Sequence, residues 1–144
     1  MGEQRSKTST TPTALTVRKV EVLVIGAGIR GIGAGIRLHR EGMNDVVILE
    51  KAGSLGGTWR DNTYPGCACD VPSALYSYSF AQKPDWSRLF AGQQEILDYV
   101  SDTARRFDIE QSICYGESAE DSHWDDHACH WVVSTAKHIW HARV

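Results

Sequence analysis

The pattern Gly26-x-Gly28-x-x-Gly31 follows directly on the run Val20-Glu21-Val22-Leu23-Val24-Ile25, and no other feature of the 144 residues restricts the fold so strongly. The short, β-branched run reads as a strand buried on both faces. Beyond the glycines, Ile29, Ile32 and Ile36 recur at three- and four-residue spacing, which gives a helix one apolar face. Gly42 stands after Glu41 where a glycine would close that helix. Val46-Val47-Ile48-Leu49 reads as a second buried strand, ended by Glu50. Strand, glycine turn, helix and strand make a βαβ unit.

Each residue of this unit has a physical role. Gly26 permits the tight turn out of the strand, Gly28 lets the backbone approach a pyrophosphate, and Gly31 lets helix and strand pack closely. The helix start near Ile29 offers unpaired N–H groups and the positive end of the helix dipole to phosphates. Glu50 stands 19 residues after Gly31, near the spacing of about 20 expected for an acid that accepts ribose hydroxyls. An acid there opposes a 2′-phosphate, so FAD or NAD fits this site better than NADP.

Residues 1–18 are polar and rich in Ser and Thr, and read as a disordered leader without the apolar stretch of a signal peptide. Gly2 and Ser6 form a two-residue match to a myristoylation pattern, for which the leader is the plainer reading. Residues 19–144 are then the folded part. From Lys51 to about Lys83, Gly53, Gly56, Gly57, Pro65, Gly66 and Pro72 mark a long loop, a length that is usually functional. A second helix is expected from about Gln93 to Phe107, with Ile96, Leu97, Val100, Ala104 and Phe107 on one stripe. Ile113-Cys114-Tyr115, Trp131 to Ser134 and His138 to Val144 read as short strands, the last two as a hairpin turning near Ala136-Lys137.

The net charge of −3, from 15 basic and 18 acidic residues, gives no basic footprint for nucleic acid. No apolar run reaches the roughly eighteen residues of a membrane span, and a cytoplasmic location is expected. Four cysteines in a reducing compartment are not expected to form disulfides. Cys67-Ala68-Cys69 is too closely spaced for a relaxed disulfide or a zinc knuckle. His123, His127, Cys129 and His130 match no metal-ligand spacing, so no metal is expected.

The loop carries Gly56-Gly57-Thr58-Trp59, then Asn62-Thr63-Tyr64-Pro65-Gly66-Cys67-Ala68-Cys69-Asp70-Val71-Pro72-Ser73, then Leu75-Tyr76-Ser77-Tyr78-Ser79-Phe80. This succession resembles the flavin-containing monooxygenase superfamily, most closely its class B, Baeyer–Villiger-like members, from about Val20 to the end. The fold this implies is α/β: a Rossmann-like FAD-binding βαβ unit with a long cofactor-lining loop, a second helix and a small antiparallel meander. It also implies an incomplete FAD-binding domain of a two-dinucleotide-domain flavoprotein, with the NADPH domain absent. By the resemblance, Glu50 holds the FAD ribose, and Gly57, Thr58 and Trp59 line the ribityl and pyrophosphate. Asp70 lies beside the flavin ring near the nicotinamide as an electrostatic organiser, the one catalytic candidate. Tyr76 contacts the cofactor, and the stretch at Glu117 and Ser118 borders the adenine.

The activity implied is that of an NADPH- and O₂-dependent monooxygenase acting on a small ketone, amine or sulfide, with the 144-residue chain inactive alone. FAD carries the redox chemistry while the protein binds, orients and excludes water. Two other readings stand beside this one. The first is a reductase module that binds FAD or NAD without oxygenation, which would need a redox-active cysteine pair. The second is a non-functional truncated product with an open sheet edge.

Overall fold

The computed structural model describes residues 15–144. The expected leader before Leu15, with its Gly2 and Ser6 pattern, lies outside the described residues. Its last part, expected to be disordered, is ordered here: β1 (Thr16–Val20) pairs in parallel with β7 (His138–Ala142). The apolar run expected as one strand divides at Glu21. β2 (Val22–Ile25) belongs to a different sheet, pairing in parallel with β3 (Val46–Glu50). Glu21 turns the chain between the sheets, and its N–H donates to the Asp45 carboxylate at 3.0 Å.

The first sheet has the order β2-β3-β4, with β4 spanning Ile113–Tyr115. The second has the order β1-β7-β6-β5, with β5 at Asp121–Asp125 and β6 at His130–Ser134. α1 (Ile29–Arg40) crosses over between β2 and β3, as parallel pairing requires. β3 is buried on both faces because successive side chains enter different cores. Ile48 joins Ile32 and Ile36 of α1 and Ile96 and Val100 of α3 (Gln93–Arg106), while Leu49 joins Val20, Val133 and Trp140 of the second sheet. The parallel sheet thus lies between a helical layer and the second sheet, which explains its apolar, non-alternating strands.

The long loop contains α2 (Thr58–Asp61) and a 3₁₀ turn at Ser73–Leu75. It is pinned to the segment before α3: Cys69 N–H donates to Ala91 O at 2.9 Å, Ser73 N–H to Leu89 O at 2.7 Å, and Ala91 N–H to Ser73 Oγ at 2.7 Å. The expected hairpin is present, with β6 and β7 antiparallel. β5 was not expected, because Asp-Ser-His-Trp-Asp lacks apolar alternation and is mostly exposed. It pairs with β6, where Trp124 meets Trp131 edge to face at 5.7 Å. After β7 the chain leaves that sheet. Val144 N–H donates to Glu21 O at 3.0 Å and Val144 O accepts from Leu23 N–H at 2.9 Å, a parallel bonding pattern on the outer edge of β2. Among the described residues no helix is long and apolar enough to cross a membrane.

Candidate dinucleotide-binding site

Two glycine turns touch above the carboxyl ends of the parallel strands. The first leaves β2 through Gly26, whose φ of +97° suits glycine, and enters α1 at Gly28. The second is Gly56-Gly57, with φ of +121° and +52°. They are joined by Gly56 N–H donating to Ala27 O at 2.9 Å. A Cβ on Gly57 would lie 3.0 Å from Gly28 Cα, so only bare backbone can pass at this point. Gly31 serves packing instead. A Cβ there would stand 1.8 Å from Gly26 O, so α1 sits against the turn because this residue has no side chain.

α1 starts without a side-chain cap and with no acid in its first turn. Its first bond is Ile32 N–H to Gly28 O at 3.0 Å, leaving the earlier amides to face a cleft. That cleft, of about 460 Å³, is lined by Gly28, Ile29, Arg30, Gly57, Thr58, Trp59 and Tyr76 among others. Trp59 forms its wall: it is buried, its indole N–H donates to Tyr76 Oη at 3.1 Å, and the rings meet edge to face at 5.6 Å. Tyr78 braces the helix start from behind, its hydroxyl donating to the Ile29 carbonyl.

A second cleft, of about 360 Å³, shares Ile25, Gly26, Gly28 and Gly57 with the first. It continues past Glu50, Lys51, Arg60 and Asp61 to Glu117, Ser118 and Ala119. Glu50 is 3% exposed and well supplied with donors. Oε2 accepts from Ala27 N–H at 2.8 Å; Oε1 accepts from Ala52 N–H at 2.9 Å and from Arg60 at 3.1 Å. Burial pushes the Glu50 pKa up, but the Ala52 and Ala27 amides and the Arg60 guanidinium outweigh it and hold the group below the ordinary carboxylate value. One lone-pair direction of Oε2 remains for a further donor.

The structure therefore brings together ten of the residues singled out in the sequence. Gly26, Gly28, Ile29, Gly31, Gly57, Thr58, Trp59 and Tyr76 meet in the first cleft, and Glu50 and Ser118 in the second. Asp70 lines neither. It is exposed on a segment where its neighbour Cys69 takes the inward position, held by the Ala91 bond and by the Ala68–Gly92 bridge. Arg60 and Asp61 were missed. Arg60 reaches Glu50, both carboxylate oxygens of Asp61 at 2.8 and 3.1 Å, and the Ser54 carbonyl. The sequence signal was their position just after Trp59, but two adjacent charges in a loop read equally well as solvated.

Comparison with known proteins agrees with this geometry. Residues 24–92 match the NAD(P)-binding Rossmann-like domain family. A Baeyer–Villiger monooxygenase of Streptomyces coelicolor is 49% identical over 118 residues, covering 82% of this chain and 23% of that protein. One of Pseudomonas aeruginosa is 40% identical over 129 residues, covering 90% and 24%. A steroid monooxygenase structure bound to NADP superposes with a TM-score of 0.82 at 37% identity, covering 88% of this chain and 25% of that one. A cyclohexanone-bound cyclohexanone monooxygenase gives 0.82 at 36% identity, covering 89% and 26%. The chain thus spans about a quarter of the length of the relatives it matches. Over that span, the chain is similar to the amino-terminal part of Baeyer–Villiger monooxygenases.

Proposed function

We propose that this chain binds FAD, as the cofactor-holding part of an NADPH- and O₂-dependent monooxygenase. The observation that carries the reading is the pair of clefts joined over Gly28 and Gly57. A ligand with two bulky ends and a narrow, charged middle fits this shape. The pyrophosphate lies over the glycine backbone and the uncapped start of α1, where amides and the helix dipole favour an anion. The adenosine lies in the Glu50 cleft, with a ribose hydroxyl donating to Glu50 Oε2. The flavin end lies against Trp59 and Tyr76. Glu50 and Asp61 at the second cleft disfavour the 2′-phosphate of NADP, which leaves NADPH to a different site.

Bound FAD would supply hydride acceptance from the reduced nicotinamide and the activation of O₂. The residues of this chain bind and orient: backbone amides neutralise phosphate charge, Glu50 fixes the ribose, and Trp59 and Tyr76 exclude water from one side of the cleft. Asp70 is proposed as an electrostatic organiser for the flavin and not as a general base. The substrate class is a small ketone, amine or sulfide, and oxygenation belongs to a protein of the relatives' full length.

Titration with FAD tests the reading, because Trp59 lies at the proposed flavin end. FAD should quench tryptophan emission in a saturable way, NADP⁺ should not compete, and Trp59→Phe should remove most of the quench. Saturable quenching by NADP⁺ at lower concentration than by FAD would overturn it.

A further inference from the structure

Behind the second cleft lies a buried polar network that cofactor binding as described does not use. Glu117 is 5% exposed, yet its carboxylate is fully partnered. Oε2 accepts from the Thr135 hydroxyl at 2.5 Å, and Oε1 accepts from His138 Nδ1 at 2.8 Å, with the Lys137 ammonium 3.9 Å away. An ionised carboxylate only accepts, so the proton on this side of the imidazole sits on Nδ1. Thr135 is itself held: its Oγ1 accepts from His138 N–H at 2.9 Å and Lys137 N–H at 3.2 Å. The network therefore uses the β6–β7 turn as a rigid anchor.

The backbone of Glu117 faces the other way. Its N–H donates to Glu50 O at 2.9 Å, and Gly116 N–H donates to Ala52 O at 3.1 Å. Glu117, Ser118 and Ala119 then form one wall of the second cleft, opposite the Gly57–Asp61 side. Ser118 at the middle of this wall is exposed, while Ala119 packs against the core of the second sheet. The Glu117 carboxylate ties the wall to the β6–β7 turn, and Glu120 N–H adds a backbone bond to Ser134 O at 2.8 Å.

We propose that the Glu117–Thr135–His138 network is a positioning device for the nucleoside end of the site. His138 and Thr135 hold Glu117, and Glu117 sets the distance between the 117–119 wall and Glu50. This rests on the reading above that adenosine occupies the second cleft. It makes the second sheet, which contributes no residue to the first cleft, a determinant of selectivity for ligands that carry adenosine. ADP reports on the second cleft and the glycine turn, whereas FMN reports on the first cleft.

Calorimetric titration of the 144-residue chain and its variants with ADP and FMN separates the possibilities. His138→Leu should weaken ADP binding about fivefold, on the scale of one hydrogen bond that orders a wall, and leave FMN within about twofold of wild type. His138→Asn, whose amide nitrogen can replace Nδ1, should restore most of the ADP affinity. Val133→Ala, in the core of the same sheet, controls for lost stability and should leave the ADP-to-FMN ratio unchanged. Equal ADP affinity in wild type and His138→Leu would overturn the positioning role and leave the cofactor reading intact. So would an equal loss of ADP and FMN in both His138→Leu and Val133→Ala. Failure of wild type to bind ADP at all would overturn the cofactor reading, and this inference with it.

Discussion

Ala27 donates its backbone N–H to the Glu50 carboxylate at 2.8 Å across 23 residues of sequence. This bond closes the βαβ unit on itself, joining the turn after β2 to the end of β3. The same carboxylate receives Arg60, so one buried group holds both glycine turns in place. Glu50→Gln replaces one acceptor oxygen with a donor that faces either an amide or a guanidinium. The predicted cost is about 2–4 kcal/mol, the range for breaking a buried pair or leaving a buried donor unpaired. Chemical denaturation measures it, and FAD affinity should fall at least about tenfold, equivalent to about 1.4 kcal/mol.

Glu50 and Glu117 also predict the response to acid. For each, burial raises the pKa but hydrogen bonds and nearby cations outweigh it, so both are held below the ordinary value of 4.5. The unfolded chain then binds protons more readily than the folded one, and falling pH favours unfolding. Their contribution should be fully present above pH 4.5 and should be lost as pH falls through the lower folded values. Melting temperatures between about pH 7 and pH 3 should show this loss, and Glu50→Gln with Glu117→Gln should flatten it. An unchanged slope in the double variant would count against these groups.

Gly31→Ala should prevent normal packing of α1, since the new Cβ would meet Gly26 O at 1.8 Å. The partner is backbone and cannot rotate away, so the cost should reach about 3 kcal/mol or more. Gly53→Ala is the matched control, with nothing within 4 Å of its Cβ. Thermal melts of the two should differ clearly, and similar melts would contradict the packing role given to Gly31.

Tyr76→Phe keeps the aromatic edge against Trp59 but removes the oxygen that accepts the indole N–H. Trp59 is 7% exposed, so its donor would be left without a partner at a cost of about 1–2 kcal/mol. FAD affinity should fall several-fold while the adenosine end, probed with ADP, stays unchanged. A parallel loss of ADP would show that Tyr76 supports the whole site.

Much of this arrangement was legible in the sequence because its signals are local. The glycine spacing, the Ile29-Ile32-Ile36 face and the acid at Glu50 each reflect a constraint within one turn or one strand. The division of the Val20–Ile25 run was not legible, since both halves are apolar in sequence and only the partners β7 and β3 distinguish them. β5 was hidden for the opposite reason: its polar, exposed residues pair through backbone bonds that leave no pattern in side-chain type. Arg60 and the Glu117–His138 pair are contacts made across the fold, and neither partner's sequence neighbourhood announces the other.

Whether the joined clefts hold FAD is read from the visible spectrum of the purified chain after incubation with FAD and gel filtration. Flavin bands should travel with the protein at about one FAD per chain and should be lost in Glu50→Gln. A folded, soluble chain that emerges without flavin would contradict FAD binding in the clefts.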